Sequence, residues 1–322
     1  MKSAFPKYVA ALLLFGSNGV YAAGVHLTSS ETVFFRSMLG GLLLATAFLV
    51  ARRRSSVGVG ASRAAIMCVV CAGIGQAANW LFLYEAYKRI GVGMATVLDY
   101  CGPIIVMALA PLAFRERLTA AKVAGFCVVA TGFVLVNVQS INGGADAWGL
   151  VCGVMSAVSY AVMVMFNKKA GGELGLAGVA LQMVVCFAAV ALYVGATEGY
   201  GFAASVPAAD WPPLLMLGLV NTGIGCYLYF SSIGRLPVQT VAVCGYLEPL
   251  AAVVFAAALL GESMQALQLA GAVLILGGAV FAEMSGSLPK GAPSSLRFED
   301  APSLAAMYES RHADVGTPVI MR

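Results

Sequence analysis

The segment that decides the fold is 241-VAVCGYLEPLAAVVFAAALLGES-263, which places a glutamate and a proline in the middle of an apolar run. Glu248 carries a charge that resists burial. Pro249 removes a helical hydrogen bond to the carbonyl of Gly245 and clashes with it. Inside a membrane that carbonyl needs a partner in the protein or in a water-filled cavity. This pattern predicts a binding or proton site in a broken helix, or a Glu248 that bonds to the break and holds the helix against its neighbours.

The composition of the whole chain is that of a membrane protein. Of its 322 residues, 60% are hydrophobic and 11% are charged, whereas soluble globular chains have about 25% charged residues. Apolar runs recur along almost the whole length, and a helix needs about 20 such residues to cross a bilayer. We therefore predict an all-α polytopic membrane protein with the lipid bilayer as its surroundings.

Apolar runs and helix breakers predict ten transmembrane helices. These spans are 8–25, 32–50, 64–86, 94–113, 119–138, 148–167, 176–196, 213–232, 238–260 and 264–284. The polar, proline-containing residues 285–322 predict a disordered tail. The N-terminus is also typical of a signal peptide, but we favour an uncleaved first helix because the repeat described below requires one.

The placement of basic residues predicts the orientation. With the N-terminus inside, sixteen Lys and Arg residues fall on the inner side, Lys88 and Arg89 fall on the outer side, and Arg36 lies within a span. This positive-inside bias places both termini in the cytoplasm and the protein in the cell membrane. The basic residues form no patch with interleaved aromatic residues, so we expect no nucleic-acid partner.

The second half of the chain repeats the first at an offset of 146 residues. The matching pairs are Arg89/Arg235, Val97/Val243, Tyr100/Tyr246, Pro103/Pro249, Glu116/Glu262, Gly125/Gly271 and Gly132/Gly278. Each unit, 8–138 and 148–284, holds five predicted helices. Because five is odd, the second unit is expected to cross the membrane upside down. Inverted repeats of this kind are typical of secondary transporters.

Three segments also resemble a known family. The segments LYEAYKRIGVGMATVLDYCGPIIVMALAPLAFRERLT (83–119) and LYFSSIGRLPVQTVAVCGYLEPLAAVVFAAALLGES (228–263) are similar to the EamA-type signature of the drug/metabolite transporter superfamily, and TVFFRSMLGGLLLA (32–45) resembles its second helix. The resemblance implies a ten-helix, five-plus-five fold with a central cavity lined chiefly by helices 1, 3, 4, 6, 8 and 9. Asp99 departs from the family pattern, which usually has an apolar or aromatic residue there.

Two acids within the spans are candidates for binding substrate or a coupling proton. An acid at a helix centre costs about 2.5–3.5 kcal/mol on a translocon scale, so such residues are functional candidates. Glu248 is near the middle of its span. Asp99 is sixth from the outer end, so it either faces the cavity or lies at the rim, solvated or paired with Lys88 or Arg89. The offset of 146 pairs Glu248 with Gly102 and Asp99 with Gly245.

Uncharged side chains at similar depth complete the predicted cavity. Amides can orient a polar ligand and aromatic rings can enclose it, or they can bond between helices and form interface belts. For Tyr84 we favour a belt, and for Arg36 a pairing with Glu31 or an outward-reaching side chain. The further cavity candidates are Asn18, Gln76, Asn79, Trp80, Tyr100, Asn221, Tyr227 and Tyr246. The predicted hinge residues are Gly102, Pro103, Gly245 and Pro249.

Other features of the sequence are interpreted as structural. Glu116 and Glu262 lie at helix junctions, where an acid favours the N-terminus of the following helix. The eight cysteines all fall inside apolar runs, as expected of buried free thiols. Catalytic constellations, P-loops and zinc-ligand spacings do not occur in the sequence. We therefore expect neither an enzyme nor a cofactor or metal.

The leading functional hypothesis is a secondary carrier with a small-molecule substrate. It would export small polar or aromatic metabolites, amino-acid-like in kind, by alternating access between the two repeats, with a possible coupling proton on Glu248 or Asp99. One alternative is an uptake carrier for nucleotide-, sugar- or cofactor-like metabolites. A second is a membrane receptor or scaffold that acts through the tail 285–322.

Overall fold

The computed structural model describes most of the chain up to residue 286. The described residues are 4–54, 62–102, 105–106, 109, 123–125, 127–132, 135, 146–170, 174–233, 245, 247–262 and 266–286. All regular structure in these ranges is helical, which confirms the predicted all-α class. The predicted disordered tail was 285–322, but residues 285 and 286 belong to the last helix, which ends at Gly286; the tail from residue 287 onward lies outside the described residues.

Each of the ten predicted spans contains helical residues. The α-helices are α1 (Ala4–Gly16), α2 (Asn18–Ala23), α3 (Ser29–Arg54), α4 (Arg63–Ile90), α5 (Val92–Asp99), α6 (Ala147–Ala170), α7 (Gly175–Thr197), α8 (Trp211–Leu215), α9 (Gly225–Ile233), α10 (Leu247–Leu260) and α11 (Ala266–Gly286), and a π-helix, π1 (Met216–Ile224), joins α8 to α9. Within the described residues, four helices are long and apolar enough to cross a membrane, namely Ser29–Arg53, Arg63–Ile90, Ala147–Ala170 and Gly175–Thr197.

Three of these helical stretches are interrupted. Ser17 separates α1 from α2, within the GSNG segment. Helix α5 ends at Asp99 in a turn, where the Cys101 N–H donates to the Leu98 carbonyl at 3.0 Å and helical residues resume at Gly102. The third interruption is π1, a conformation that is rare and frequently occurs at functional sites. All three alter the backbone hydrogen bonding in stretches whose sequences are apolar.

A long-range cap fixes the start of α5. Gly91 has a φ of +81° and separates α4 from α5, a conformation that glycine adopts readily because it has no Cβ. The Glu262 carboxylate, from the loop after α10, accepts hydrogen bonds from the Val92 N–H at 2.7 Å and the Gly93 N–H at 2.8 Å. Glu262 is therefore a structural acid at a helix N-terminus, and the helix that it caps is α5 of the first half.

Helices of the first half pack against helices of the second half. Helix α4 lies along α6, α3 packs on α7 and π1, and both α1 and α5 contact α10. Gly40 allows the approach of α3 to π1, because a Cβ at this position would lie 2.4 Å from the Thr222 Cγ2 methyl. These contacts leave one polar cavity between the two halves, described next.

Candidate functional site

A cavity of about 230 Å³ lies between helices of both halves. Seven of the ten predicted cavity residues line it: Asn18, Gln76, Asn79, Trp80, Asp99, Tyr100 and Glu248. The other lining residues are Phe15, Arg36, Leu83, Tyr87, Thr96, Tyr160, Met163, Val179, Gln182, Met183, Cys226, Tyr229 and Ala252. The wall is thus aromatic and apolar, with a few polar groups and three charged residues.

Asp99 is held at the end of α5, inside the bundle. Its side chain is buried, and Asn79 Nδ2 donates to Asp99 Oδ1 at 2.8 Å and to the Ser156 carbonyl at 3.0 Å. Three elements, α4, α5 and α6, therefore converge on this carboxylate.

Lys88 and Arg89, the two alternative partners of Asp99 in the sequence analysis, bond to other groups. Lys88 donates to the Leu27 carbonyl. Arg89 pairs with Glu85 and, at 2.6 Å, with Asp146. The alternative that placed Asp99 at the rim, paired with Lys88 or Arg89, is wrong.

Glu248 lines the same cavity from α10 and interacts electrostatically with Asp99. Tyr100, just after the end of α5, interacts electrostatically with the Glu248 side chain. The backbone next to Tyr100 is crowded, because a Cβ on Gly102 would lie 2.6 Å from the Tyr160 ring. Tyr100 and Glu248 thus join the interrupted end of α5 to α10 at the cavity wall.

Arg36 is a cavity residue, contrary to the expectation that it pairs with Glu31 or reaches outward. It is 4% exposed, and its guanidinium carbon lies 4.1 Å from the centroid of the Trp80 ring. Arg36 Nε donates to Thr222 Oγ1 at 3.0 Å, and Nη1 donates to the Tyr84 hydroxyl. The same contacts overturn the interface-belt interpretation of Tyr84, which is fully buried beside Arg36.

Asn221 supports the break in the first helix and does not line the cavity. Its Nδ2 lies 2.9 Å from the Leu14 carbonyl, 3.1 Å from Ser17 Oγ and 3.0 Å from Asn18 Oδ1. It therefore bonds polar groups that the interruption at Ser17 brings together. Of these partners, Asn18 lines the cavity.

Tyr227 does not contribute to the cavity either. Its side chain is 53% exposed, whereas Tyr229, two residues further along α9, lines the cavity. Successive helical residues are about 100° apart, so side chains two positions apart point in nearly opposite directions. The candidate Tyr246 lies outside the described residues.

The predicted hinge is described in part. Gly102 follows the turn at the end of α5, and Gly245 and Pro249 both belong to helical segments. Pro249 is buried. Pro103 lies outside the described residues, so the paired breaks at Pro103 and Pro249 stay a prediction.

The offset of 146 residues also relates the cavity walls. Three pairs of equivalent positions line the cavity: Arg36/Gln182, Trp80/Cys226 and Leu83/Tyr229. The bond from Arg36 to Thr222 has an equivalent in the bond from Gln182 Nε2 to Gln76 Oε1, also 3.0 Å long. Sequence reasoning missed Arg36, Gln182 and Thr96, although applying the repeat to positions 36 and 182 pairs two polar residues inside predicted helices.

Metal chemistry has no basis in the part of the chain that the structure describes. It contains no cluster of three or more His, Cys, Asp or Glu side chains that could hold an ion. The chemistry that the cavity offers is instead that of recognition: two carboxyl groups, one guanidinium, amides and aromatic rings.

A family model described as "EamA-like transporter family" matches residues 7–138 and 147–284. Among solved structures, one crystal structure aligns with 88% of this chain and with 98% of its own chain, with a TM-score of 0.57 and a sequence identity of 20%. This likeness concerns the fold alone.

Three curated relatives are transporters by name. The uncharacterized transporter YxxF of Bacillus subtilis is 24% identical over 84% of this chain and 86% of its own. The probable amino-acid metabolite efflux pump of Salmonella typhimurium is 29% identical over 62% and 70%. The threonine/homoserine exporter RhtA of Escherichia coli K12 is 26% identical over 65% and 67%.

Proposed function

Because this chain belongs to the EamA-like transporter family, as the sequence resemblance predicted, we propose that it is a secondary carrier that exports small, amino-acid-like metabolites. The membership makes it a multi-pass membrane transporter and not an enzyme. The substrate class, the direction and the coupling are the proposed part.

The cavity is the observation that carries the substrate class. Its volume of about 230 Å³ is below the roughly 300–1,000 Å³ of sites for drug-sized ligands. A single amino acid suits that volume better than a nucleotide or a cofactor does. The wall offers groups for both charges of a zwitterion, since Arg36 and two acids line it, and aromatic rings for a side chain.

The direction is inferred from relatives. RhtA is named an exporter and the Salmonella relative an efflux pump, which supports export over the alternative of uptake. These relatives are 29% and 26% identical to this chain. Identities at this level support a shared direction of transport, and the substrate is a question for experiment.

The mechanism we propose is alternating access between two inverted units, 8–138 and 148–284, with both termini in the cytoplasm. A cavity between the halves and interruptions in α5 and near Ser17 support it, because discontinuous helices at a repeat interface are common in secondary transporters. A proton that binds Glu248 or Asp99 and moves down its own gradient would drive export of the substrate against the substrate gradient.

Reconstituted transport tests this function. Purified protein in liposomes, loaded with unlabelled L-threonine or L-phenylalanine, should accumulate the labelled amino acid by counterflow, and an imposed pH gradient should drive net movement. Absence of counterflow for a broad amino-acid panel would overturn the proposal. A variant that ends at Gly286 should transport at the wild-type rate, whereas lost transport would favour a role for the tail.

A further inference from the structure

Arg36 is a buried cation, and some of its donors have no partner among the residues that the structure describes. A guanidinium has five N–H groups, and two of them bond to Thr222 and Tyr84. The ion pairs found among the described side chains involve other residues. Burying an unpaired charge costs free energy. An anionic group that binds in the cavity beside the Arg36 guanidinium would offset this cost.

The guanidinium is fixed in orientation by three side chains. Thr222 donates its own hydroxyl proton to the Leu217 carbonyl at 2.8 Å, so its oxygen can only accept from Arg36 Nε. The Tyr84 hydroxyl holds one Nη, and the Trp80 ring lies against the guanidinium face. The remaining donors are Nη–H groups of the planar guanidinium, whose spacing matches the two oxygens of a carboxylate.

The position equivalent to Arg36 shows that helix packing does not require the charge. Gln182 lies at the offset of 146 and bonds to Gln76 as Arg36 bonds to Thr222. A neutral amide is sufficient for that contact between helices. A purely structural clamp would not need the cation that position 36 carries.

We propose that Arg36 binds the carboxylate of a zwitterionic α-amino acid, whose ammonium group faces Asp99 and Glu248. This inference rests on the proposed function and adds the atoms that recognise the substrate. Arg36 and Glu248 line the same cavity and interact electrostatically across it. A zwitterion between them would satisfy both signs of charge at once.

Two pairs of ligands test this assignment: L-threonine with L-threoninamide, and L-phenylalanine with L-phenylalaninamide. Each amide keeps the ammonium group and loses the carboxylate charge. In competition for counterflow by the full-length protein, the wild type should prefer each acid over its amide by about tenfold or more, because a hydrogen bond to a charged group is worth about 1.5–3 kcal/mol.

Three variants separate recognition from folding. Arg36→Gln, which installs the side chain of the equivalent position, should weaken the acids about tenfold to a hundredfold and weaken the amides much less, because an amide carbonyl is a neutral acceptor. Arg36→Lys keeps the positive charge but loses the paired N–H donors of the guanidinium, so it should retain a reduced preference for acids. Asp99→Asn should weaken acids and amides alike, because both carry the ammonium group.

The outcomes distinguish this inference from the function on which it rests. If the wild type transports amino acids but treats each acid and its amide equally, Arg36 does not bind the carboxylate and only this inference fails. Equal weakening of acids and amides by Arg36→Gln would likewise make Arg36 a structural residue. If the wild type transports no amino acid, the proposed function fails. The wild-type comparison needs no variant to fold.

Discussion

At the scale of single residues, the charge in the cavity is asymmetric although three pairs of wall positions are related by the repeat. Each charged residue has a neutral equivalent: Arg36 corresponds to Gln182, Asp99 to Gly245 and Glu248 to Gly102. The first half thus supplies the cation and one acid, and the second half supplies the other acid. A ligand with two opposite charges would bind such a wall in one orientation.

The substitution Glu248→Gln tests the coupling proton. The charged or titratable groups that interact with Glu248 include Tyr100, Asp99, Arg36 and Cys226. Glutamine has nearly the same shape but cannot bind a proton, so we expect net export to lose its response to an imposed pH gradient while counterflow persists. Flux measured in proteoliposomes across a range of external pH would show this change.

The control for this experiment is Glu31→Gln. Glu31 accepts a hydrogen bond from the Thr28 N–H at 2.8 Å and is not part of the cavity wall, so its replacement should leave the pH profile unchanged. An unaltered profile in Glu248→Gln itself would assign Glu248 a structural role.

Seven of the ten cavity residues predicted from the sequence do line the cavity, because polar groups are costly at membrane depth and are therefore rare in apolar runs. Sequence reasoning failed for Arg36, whose side chain was matched to a near neighbour in sequence while its real partners, Trp80 and Thr222, lie on other helices. It also failed for Tyr227. The π1 segment precedes this tyrosine, and a change in helical hydrogen bonding shifts which residues face inward.

At the scale of elements, the helices were predictable and their interruptions were less so. The bounds of α3, α4, α6 and α7 agree with the predicted spans to within four residues, because an apolar run ends where charge begins. Apolar composition carries no information on whether a segment is α or π, since the two differ in hydrogen-bond register. The cap of α5 by Glu262 depends on a contact between residues about 170 positions apart.

Removing this cap should destabilise the fold. In Glu262→Ala the Val92 and Gly93 N–H groups lose their acceptors, and loss of a capping side chain typically costs about 0.5–2 kcal/mol. Glu262→Gln keeps one acceptor oxygen and should lose less. Thermal unfolding of the detergent-purified proteins measures both, and an Ala variant as stable as the Gln variant would show that the cap contributes little.

Asp146 makes the stability of a second helix N-terminus, that of α6, depend on pH. Its Oδ1 accepts from the Trp148 and Gly149 N–H groups at 2.8 and 3.2 Å, and its Oδ2 accepts from Arg89 at 2.6 Å. Arg89, followed by the Gly149 N–H, holds the pKa of Asp146 below its usual range. Because the folded-state pKa is lowered, the stabilisation is present above the unfolded value of about 3.9 and is lost as pH falls through the folded value.

The variant Asp146→Asn tests this dependence. It keeps an acceptor for the helix start but has no charge, so the fall in unfolding temperature of the wild type between about pH 5 and pH 3 should be smaller in the variant. The pair is exposed, so salt should reduce the difference. Identical acid dependence in both proteins would contradict the assignment.

At the scale of the whole molecule, the two family repeats enclose the cavity together. Its wall includes Arg36 and Trp80 from the first repeat and their equivalents Gln182 and Cys226 from the second. If the repeats are inverted, movement that closes one side has a symmetric counterpart that closes the other. Cavity residues near the pseudo-symmetry axis should then be reachable from each side in turn.

Cys226 provides a native probe of this alternation, because it lines the cavity. In a variant that keeps Cys226 and replaces the other seven cysteines, a charged methanethiosulfonate should modify it in both right-side-out and inside-out vesicles, more slowly when the transported amino acid is present. Modification of Cys226 from one side alone, unchanged by substrate, would contradict alternating access through this cavity.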